Sequence, residues 1–379
     1  MSNCIVCEAI NFRTILYIAD KSLATDGRIF NRSLVKEMCL ECGLIKTANP
    51  PSAEEINRYY AEYDLGVRSS ASEATFIVND EHIGANQEIA DWIINAYESL
   101  SLTLPNSFMD VGCSAGGLIS CVANKISLEK HLGVDLDEHA IMAARSNGLN
   151  ARVSSGEDVD EKFDLVSAVA VIEHTTSPSD FLSMLKSKTT EEGLIALILP
   201  VQDGGNRDVF FWDHLFHLHS DHVKLICQKQ GLEVKYMDLN HPFHHGFGLF
   251  LLHKSFSEPM IPISDEAKNP LLHKTIGHWE KIFHNLKIWF DKQDDGVAVL
   301  GVGETFDLVS AYSSIDLNKI TLGFDANPRR AESRNLPFAV ESQERLNEIH
   351  GIGLIITFQP SKSLIKLLEG NKIDVFITV

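Results

Sequence analysis

The ten residues 108–117, FMDVGCSAGG, constrain this chain more than any other stretch of its 379 residues. Two apolar residues lead into Asp110; Gly112, Gly116 and Gly117 follow, and Leu118-Ile119 resume the apolar pattern. This spelling predicts a buried strand, a tight turn and the first turn of a helix. A second apolar run, His131-Leu-Gly-Val-Asp, ends on Asp135, an acid roughly twenty residues on. A parallel sheet holds a nucleoside with such parts: glycines let the backbone come close, and the acid accepts from the ribose hydroxyls. The spacing departs from G-x-G-x-x-G, which seats a pyrophosphate on a helix N-terminus. Here Asp110 precedes Gly112, position 114 is Ser, and the next glycine is Gly116. The turn suits a nucleoside ligand without a phosphate.

At 44% hydrophobic and 22% charged residues the chain reads as globular, and its length suggests two or three domains. No apolar run reaches membrane-spanning length, and MSNCIVCEAI has no basic region ahead of an apolar core. A soluble, cytoplasmic protein with no membrane partner is expected. The formal charge of −19 argues against nucleic acid as a partner, because non-specific binding needs a positive footprint. A local basic pocket for one phosphorylated small molecule stays compatible with it. Four of the seven cysteines form two C-x-x-C pairs, Cys4/Cys7 and Cys39/Cys42. Without an export signal, this spacing predicts a tetrahedral thiolate site for zinc, stapling a segment too small to bury a core. Four sulfurs leave no coordination position open, so the expected role is structural. Cys113, Cys121 and Cys227 are scattered and read as small core residues.

Along the chain, Asn49-Pro50-Pro51 stops the cysteine-rich stretch, and Ser52 with Glu55 spells a capping box for a helix carrying Tyr59, Tyr60 and Tyr63. Residues 66–72 read as a linker. A helix over about 84–100 carries Ile89, Trp92, Ile93 and Ala96 at helical spacing. Strands at 108–112, 131–135, 151–154, 163–168 and 193–200 alternate with helices at 116–125, 137–146 and 178–187, the pattern of a parallel sheet with helices on both faces. Ligands of such sheets lie beyond the carboxyl ends of the strands, where Gly112, Asp135 and Glu173 fall. A His-rich stretch over 211–222, a helix to Gly231 and strands near 233–238 and 247–253 follow. After a connector with three prolines and a helix at about 274–290, a second alternating unit begins at Gly296. The expected fold class is α/β in three parts: a zinc-binding domain over 1–65, a Rossmann-like sheet over 66–256, and a smaller Rossmann-like α/β domain over 257–379.

This order of parts resembles the three-domain, zinc-containing sugar methyltransferases that use S-adenosylmethionine. The matching stretches are the C-x-x-C pairs with CGLIKTANPPSAEEINRYY, then FMDVGCSAGG, GVDLDEHAI, FDLVSAVAVIEHTTSPSDFL, WDHLFHLHSDHVKLICQKQGLEV and LGVGETFDL with GFDANP. Within FMDVGCSAGG, D-x-G-x-x-x-G resembles motif I of the class I S-adenosylmethionine-dependent methyltransferases. The resemblance implies S-adenosylmethionine and zinc as cofactors and a nucleotide-linked sugar as substrate, in polysaccharide or natural-product biosynthesis. It also implies a C-terminal domain that helps hold that substrate. It places Asp110, Gly112, Cys113 and Gly116 in the cofactor loop, Asp135 with Leu136 at the ribose, and Glu157 or Asp158 at the adenine amine. Val171, Ile172, Glu173 and His174 fall beside the methionyl part.

The catalytic stretch of that family reads Tyr-x-Glu-His, and here Phe211, Trp212, Asp213 and His214 align with it. The resemblance makes His214 the general base, with Asp213 orienting its imidazole or contacting the sugar. A histidine suits proton abstraction because its ordinary pKa lies near working pH. Phe211 lacks the Tyr hydroxyl, and His245-Gly246-Phe247-Gly248 stands where the family has an HGGS-like turn. Both departures fall where the acceptor should bind. Transfer to an oxygen or nitrogen of another small metabolite therefore stays open, as does a non-catalytic binding protein with a degenerate methyltransferase fold. His217, His219, His222, His241, His244 and His245 show no carboxylate at helical ligand spacing, so they read as pocket lining or surface, with His217 and His219 alternating as on a strand. Gly301-x-Gly303 with Asp325 has Phe306 where a dinucleotide site needs its third glycine. That turn reads as a nucleotide-sugar platform or a structural remnant, with Arg329 and Arg330 as candidate phosphate partners.

Overall fold

A computed structural model describes the chain except residues 1–2, 62–74, 79–80, 243, 256–261, 269–270, 295, 326–327, 329–335, 349–351, 359–361, 371–372 and 379. The linker expected at 66–72, Tyr63, Arg329 and Arg330 lie outside the described residues. The chain divides into two compact units, Met1–Asp20 with Ser33–Thr275 and Lys21–Arg32 with Ile276–Val379. Among the described residues no helix is long and apolar enough to cross a membrane.

The first unit opens with an antiparallel sheet of β1 (Phe12–Ile18), β2 (Leu34–Cys39) and β3 (Ile45–Thr47). The cysteine pairs sit at its ends: Cys39 closes β2, and Cys42 lies in the turn to β3. Gly43 follows with φ +80, a left-handed conformation for which glycine is suited, and its N–H donates to the Cys39 carbonyl at 3.0 Å. Helix α1 (Ala53–Ala61) starts on the expected capping box: Ser52 N–H donates to Glu55 Oε2 at 2.8 Å, and Glu55 N–H donates to Ser52 Oγ at 3.2 Å.

The α/β alternation then runs α2 (Ala85–Ser99), β4 (Ser107–Val111), α3 (Gly117–Lys125), β5 (Lys130–Asp135), α4 (Glu138–Ser146), β6 (Ala151–Val153), β7 (Phe163–Val169), α5 (Pro178–Lys188) and β8 (Thr189–Pro200). After it come β9 (Phe216–His217), α6 (Ser220–Lys229), β10 (Leu232–Asp238) and β11 (Phe247–Lys254). Seven of these strands form one sheet, ordered β6-β5-β4-β7-β8-β11-β10. The first five are parallel, and β11 runs antiparallel to both β8 and β10. The apolar runs of β7 and β8 are continuous because helices cover both faces. Alternate residues feed two cores: Met109, Val111, Ile195, Leu197 and Leu199 pack with α5 and α6 on one side. Phe108, Leu194, Ala196 and Ile198 pack with Trp92 of α2 and Ile119 of α3 on the other.

The strand β9 leaves that sheet. It pairs antiparallel with β3, Phe216 opposite Lys46 and His217 opposite Ile45, giving the N-terminal sheet the order β1-β2-β3-β9. His217 and His219 do not alternate on one strand as the sequence suggested, because β9 ends at His217. His219 instead caps α6: its Nδ1 accepts from Asp221 N–H at 3.2 Å, while His222 Nδ1 accepts from His219 N–H at 3.1 Å.

The second unit holds a five-stranded parallel sheet of β12 (Val297–Leu300), β13 (Ile320–Asp325), β14 (Ala339–Ser342), β15 (Gly353–Ile356) and β16 (Asp374–Ile377), ordered β14-β13-β12-β15-β16. The turn after β12 begins at Gly301, φ +88, and Val302 N–H donates to Asp325 Oδ2 at 2.9 Å.

Candidate active site

After β4 the backbone is left-handed at Gly112 (φ +78), Ser114 (φ +48) and Gly116 (φ +80), which folds the loop tightly before α3. A Cβ on Gly112 would stand 2.6 Å from Val171 Cγ2, and one on Gly116 would collide with Leu149. Space and φ therefore both require glycine here. Val171, just past β7, is thus packed directly on the loop, and Asn86 of α2 covers Gly117 from the other side. Asn86 is a wall of the loop that sequence reading missed.

Asp135, at the end of β5, clasps the loop: its Oδ2 accepts from Ser114 N–H at 2.8 Å and its Oδ1 from Asp137 N–H at 3.0 Å. Burial pushes its pKa up while those backbone N–H groups pull it down, and the net is upward. Each oxygen keeps further acceptor capacity. Leu136 is half-buried beside it. Ser114 Oγ is buried with no hydrogen-bond partner among the described residues. Asp110 lies inside β4, where its Oδ1 accepts from Ser167 Oγ of β7 at 2.5 Å, and burial raises its pKa to about 7. Cys113 turns its sulfur into the core against Gly133, so its side chain contributes packing to the loop. Glu157 and Asp158 are exposed in the turn after β6, and Asp158 accepts from Ser154 Oγ, which lowers its pKa.

The chain after β7 makes a single 3-10 turn, Ile172–His174, that carries Glu173 and His174 toward His214. Both oxygens of the buried Glu173 carboxyl lack a hydrogen-bond partner among the described residues. Burial pushes its pKa up to about 7 against the pull of His214. His174 Nδ1 lies 2.9 Å from the Asp213 carbonyl, to which it donates, and its ring meets that of His214 edge-on at 4.6 Å. Burial, with His214 nearby, lowers its pKa to about 4.

Of the two roles expected for Asp213, orienting the His214 imidazole or contacting the sugar, the hydrogen bond to the imidazole comes from another carboxylate, Asp208. Asp213 turns to the phenols of α1, with Tyr59 Oη at 3.5 Å and Tyr60 Oη at 3.4 Å from its Oδ2. Asp208, on the 3-10 turn Arg207–Phe210, faces the imidazole instead: its Oδ2 lies 3.3 Å from His214 Nδ1 and 2.7 Å from His217 Nδ1. The reason is local. The chain bends at Trp212 and Asp213, which turns Asp213 to α1, whereas the 3-10 turn before it carries Asp208 to the imidazole. No periodicity in the sequence marks that pair. His214 Nε2 has no hydrogen-bond partner among the described residues.

Burial lowers the His214 pKa, but the Asp208 hydrogen bond and the charges of Asp208, Asp213 and Glu173 outweigh it, and the net is upward. Burial likewise opposes ionisation of Asp208, yet the two imidazoles hold it well below the usual carboxylate range. Burial lowers His217 to about 4. Lys36 of β2, fully buried, reaches across: its Nζ donates to the Phe211 carbonyl at 2.9 Å, the His214 carbonyl at 2.6 Å and Thr47 Oγ1 at 3.0 Å. Burial lowers its pKa to about 7. Phe211 is fully buried, its ring 5.8 Å from that of His214. His241 and His244 form a separate cluster on Trp92, at 4.5 and 6.1 Å between ring centres.

Among the described residues, three groups of side chains offer donor atoms within 4.8 Å of one another: Cys4, Cys7, Cys39 and Cys42; Glu173, His174 and His214; and Asp208, His214 and His217. The cysteine sulfurs pair at 3.5 Å, Cys4 with Cys42 and Cys7 with Cys39. Four thiolates around zinc at the usual Zn–S distance stand about 3.8 Å apart, so this donor set fits a tetrahedral metal. His222 Nε2, 2.8 Å from the Cys42 carbonyl, ties that turn to α6.

A β6-β5-β4-β7-β8 parallel order with an antiparallel edge, a glycine turn after β4 and an acid ending β5 define a class I methyltransferase sheet. Residues 109–197 match the model of a methyltransferase domain, so the chain carries an S-adenosylmethionine-dependent methyltransferase domain. Over 129 residues it is 26% identical to the mitochondrial ubiquinone biosynthesis O-methyltransferase of Saccharomyces cerevisiae, a match over 32% of this chain. The chain spans 40% of the length of that curated relative. Among solved structures it is similar to a magnesium protoporphyrin IX methyltransferase from Synechocystis (14% identity, 54% of this chain and 100% of that one, TM-score 0.42). It is also similar to an S-adenosylmethionine-dependent methyltransferase from Clostridium acetobutylicum (13% identity, 45% of this chain and 92% of that one, TM-score 0.38).

Proposed function

We propose that this chain transfers a methyl group from S-adenosylmethionine to a nucleotide-linked sugar, with His214 as general base. The observation that carries the reading is one short segment past β7: Val171 packs on the glycine loop, and His174, three residues on, meets the buried His214 imidazole, whose Nδ1 is held and whose Nε2 is free. S-adenosylmethionine, when bound, supplies an electrophilic methyl on a sulfonium sulfur, and its transfer depends on in-line positioning. The Gly112–Gly116 loop and Asp135 would hold the nucleoside, Glu157 or Asp158 the adenine edge, and Val171 the methionyl side. His214 Nε2 would take a proton from the acceptor carbon beside a ketone; the electron pair left on that carbon would form the bond to the methyl as the methyl–sulfur bond breaks, its pair going to the sulfur. Asp208, Asp213 and Glu173 stabilise the imidazolium until the proton leaves to solvent. Cys4, Cys7, Cys39 and Cys42 would hold zinc, which would staple the sheet that backs this wall. The sugar assignment is supported by the order of parts and by the Gly301 turn of the second unit, clasped by Asp325 much as Asp135 clasps the first.

The test is His214→Gln. Cofactor affinity measured by calorimetry should be retained, and turnover of a nucleotide-linked keto-sugar should fall by roughly 10²-fold or more. Near-normal turnover would overturn the base assignment, and no cofactor binding at high micromolar concentration would overturn the whole reading. A second reading moves the methyl to an oxygen, favoured by the name of the yeast relative. Exchange of the acceptor C–H with heavy water in the absence of cofactor separates the two, since only carbon methylation requires that proton to leave.

A further inference from the structure

We propose that Asp208 is the positioning residue of this site: one buried carboxylate, shared by the Nδ1 atoms of His214 and His217, sets the His214 tautomer that leaves Nε2 basic. The inference rests on the reading of His214 as base. A carboxylate only accepts, so each Nδ1 facing it carries the proton. At 2.7 Å and 3.3 Å from the two rings, Asp208 Oδ2 leaves no other arrangement of those protons.

Asp208 is itself held by two residues that are tied to each other. Gln202 Nε2 donates to its Oδ1, Asn206 Oδ1 accepts from its backbone N–H at 3.2 Å, and Gln202 Oε1 accepts from Asn206 N–H at 3.0 Å. Its partners are equally fixed. His217 sits on β9, locked to β3 by strand pairing, and the His214 carbonyl is gripped by Lys36. The neutral His217 thus serves as a fixed donor that aims the carboxylate, and its Nε2, buried and without a partner among the described residues, needs no proton. The negative charge of Asp208 is then available to His214 when it takes up the acceptor's proton.

The ionisable groups facing His214 are Asp208, Asp213, Glu173, His174, His217 and Lys36. Replacing Asp208 by Asn removes one charge and presents one Nδ1–H with an amide donor. The experiment is long-range proton–nitrogen NMR of histidine-labelled full-length protein, together with pH profiles of turnover, for the wild type, Asp208→Asn and Asp208→Glu. In the wild type above its His214 pKa, the His214 Nδ1–H form is expected. In Asp208→Asn, mixed tautomers are expected, with cofactor affinity within about twofold, kcat lower by roughly 10²-fold and the acid limb shifted to lower pH, because the imidazolium has lost its partner. Asp208→Glu should restore part of kcat and return the limb upward. An Nε2–H form in the wild type, or an unmoved acid limb in Asp208→Asn, overturns the proposal. The wild-type spectrum decides even where a variant fails to fold. Full activity of His214→Gln with an intact Nδ1–H spectrum would sink the base and leave the positioning.

Discussion

Glu173→Gln isolates the electrostatic strain at the heart of the site. The carboxyl is buried with both oxygens unpartnered among the described residues, and burial pushes its pKa from 4.5 to about 7. Each pH unit between those values is worth about 1.4 kcal/mol, so ionising Glu173 inside the folded protein costs about 3 kcal/mol. The sign follows from linkage. The unfolded chain loses this proton near pH 4.5 and the folded one near 7, so the contribution is intact below 4.5, is lost as pH rises to 7, and stays lost above. Glutamine cannot ionise. It adds two N–H donors whose burial costs about 1–3 kcal/mol, but that cost does not change with pH. The stability of the variant minus that of the wild type should therefore climb by about 3 kcal/mol between pH 5 and pH 8, whatever its starting value. Guanidinium unfolding followed by tryptophan fluorescence at half-unit pH steps measures it. Parallel curves for the two proteins over that range would refute the picture of an unpartnered buried acid.

Gly112→Ala places a methyl 2.6 Å from Val171 Cγ2 on a backbone at φ +78, and strain of about 1–3 kcal/mol should weaken S-adenosylmethionine binding roughly tenfold or more by calorimetry. Cys4→Ser should abolish binding of one equivalent of zinc, measured by elemental analysis, and lower the unfolding midpoint, because metal binding and folding of the segment are coupled. Lys36→Met strips donors from the Phe211 and His214 carbonyls and from Thr47; a loss of about 2–4 kcal/mol in stability should accompany a fall in kcat, with cofactor affinity unchanged.

The sheet was legible because its signals are local. The apolar runs of β4, β5, β7 and β8, the capping box at Ser52 and the glycines of the 112–117 loop each act on their own neighbours in sequence. The observed helices Ala85–Ser99 and Leu272–Asp291 lie within a few residues of their expected positions. The wall opposite the cofactor loop was less legible, because it is assembled from separated pieces. Lys36 reads as an ordinary strand charge until β2 is seen to aim it at 211 and 214. Asp208 carries no spacing rule relative to His214 or His217, and β9 is two residues long, too short to show alternation. His219, read as pocket lining or surface, caps a helix. Tyr59 and Tyr60 were visible as helix residues, but only tertiary packing brings them to Asp213.

The pairing of β9 with β3 bears on how far such a protein can be dismantled. The cysteine-rich segment looks like a module that could be trimmed, exchanged or fused elsewhere. Its third strand, however, supplies the only backbone ladder that His217 has among the described residues, and its second supplies Lys36. A truncation beginning after residue 65 would leave a sheet edge bare and two carbonyls beside the imidazole without donors. Engineering that grafts a new acceptor pocket onto this scaffold must therefore carry the N-terminal strands along with the methyltransferase sheet.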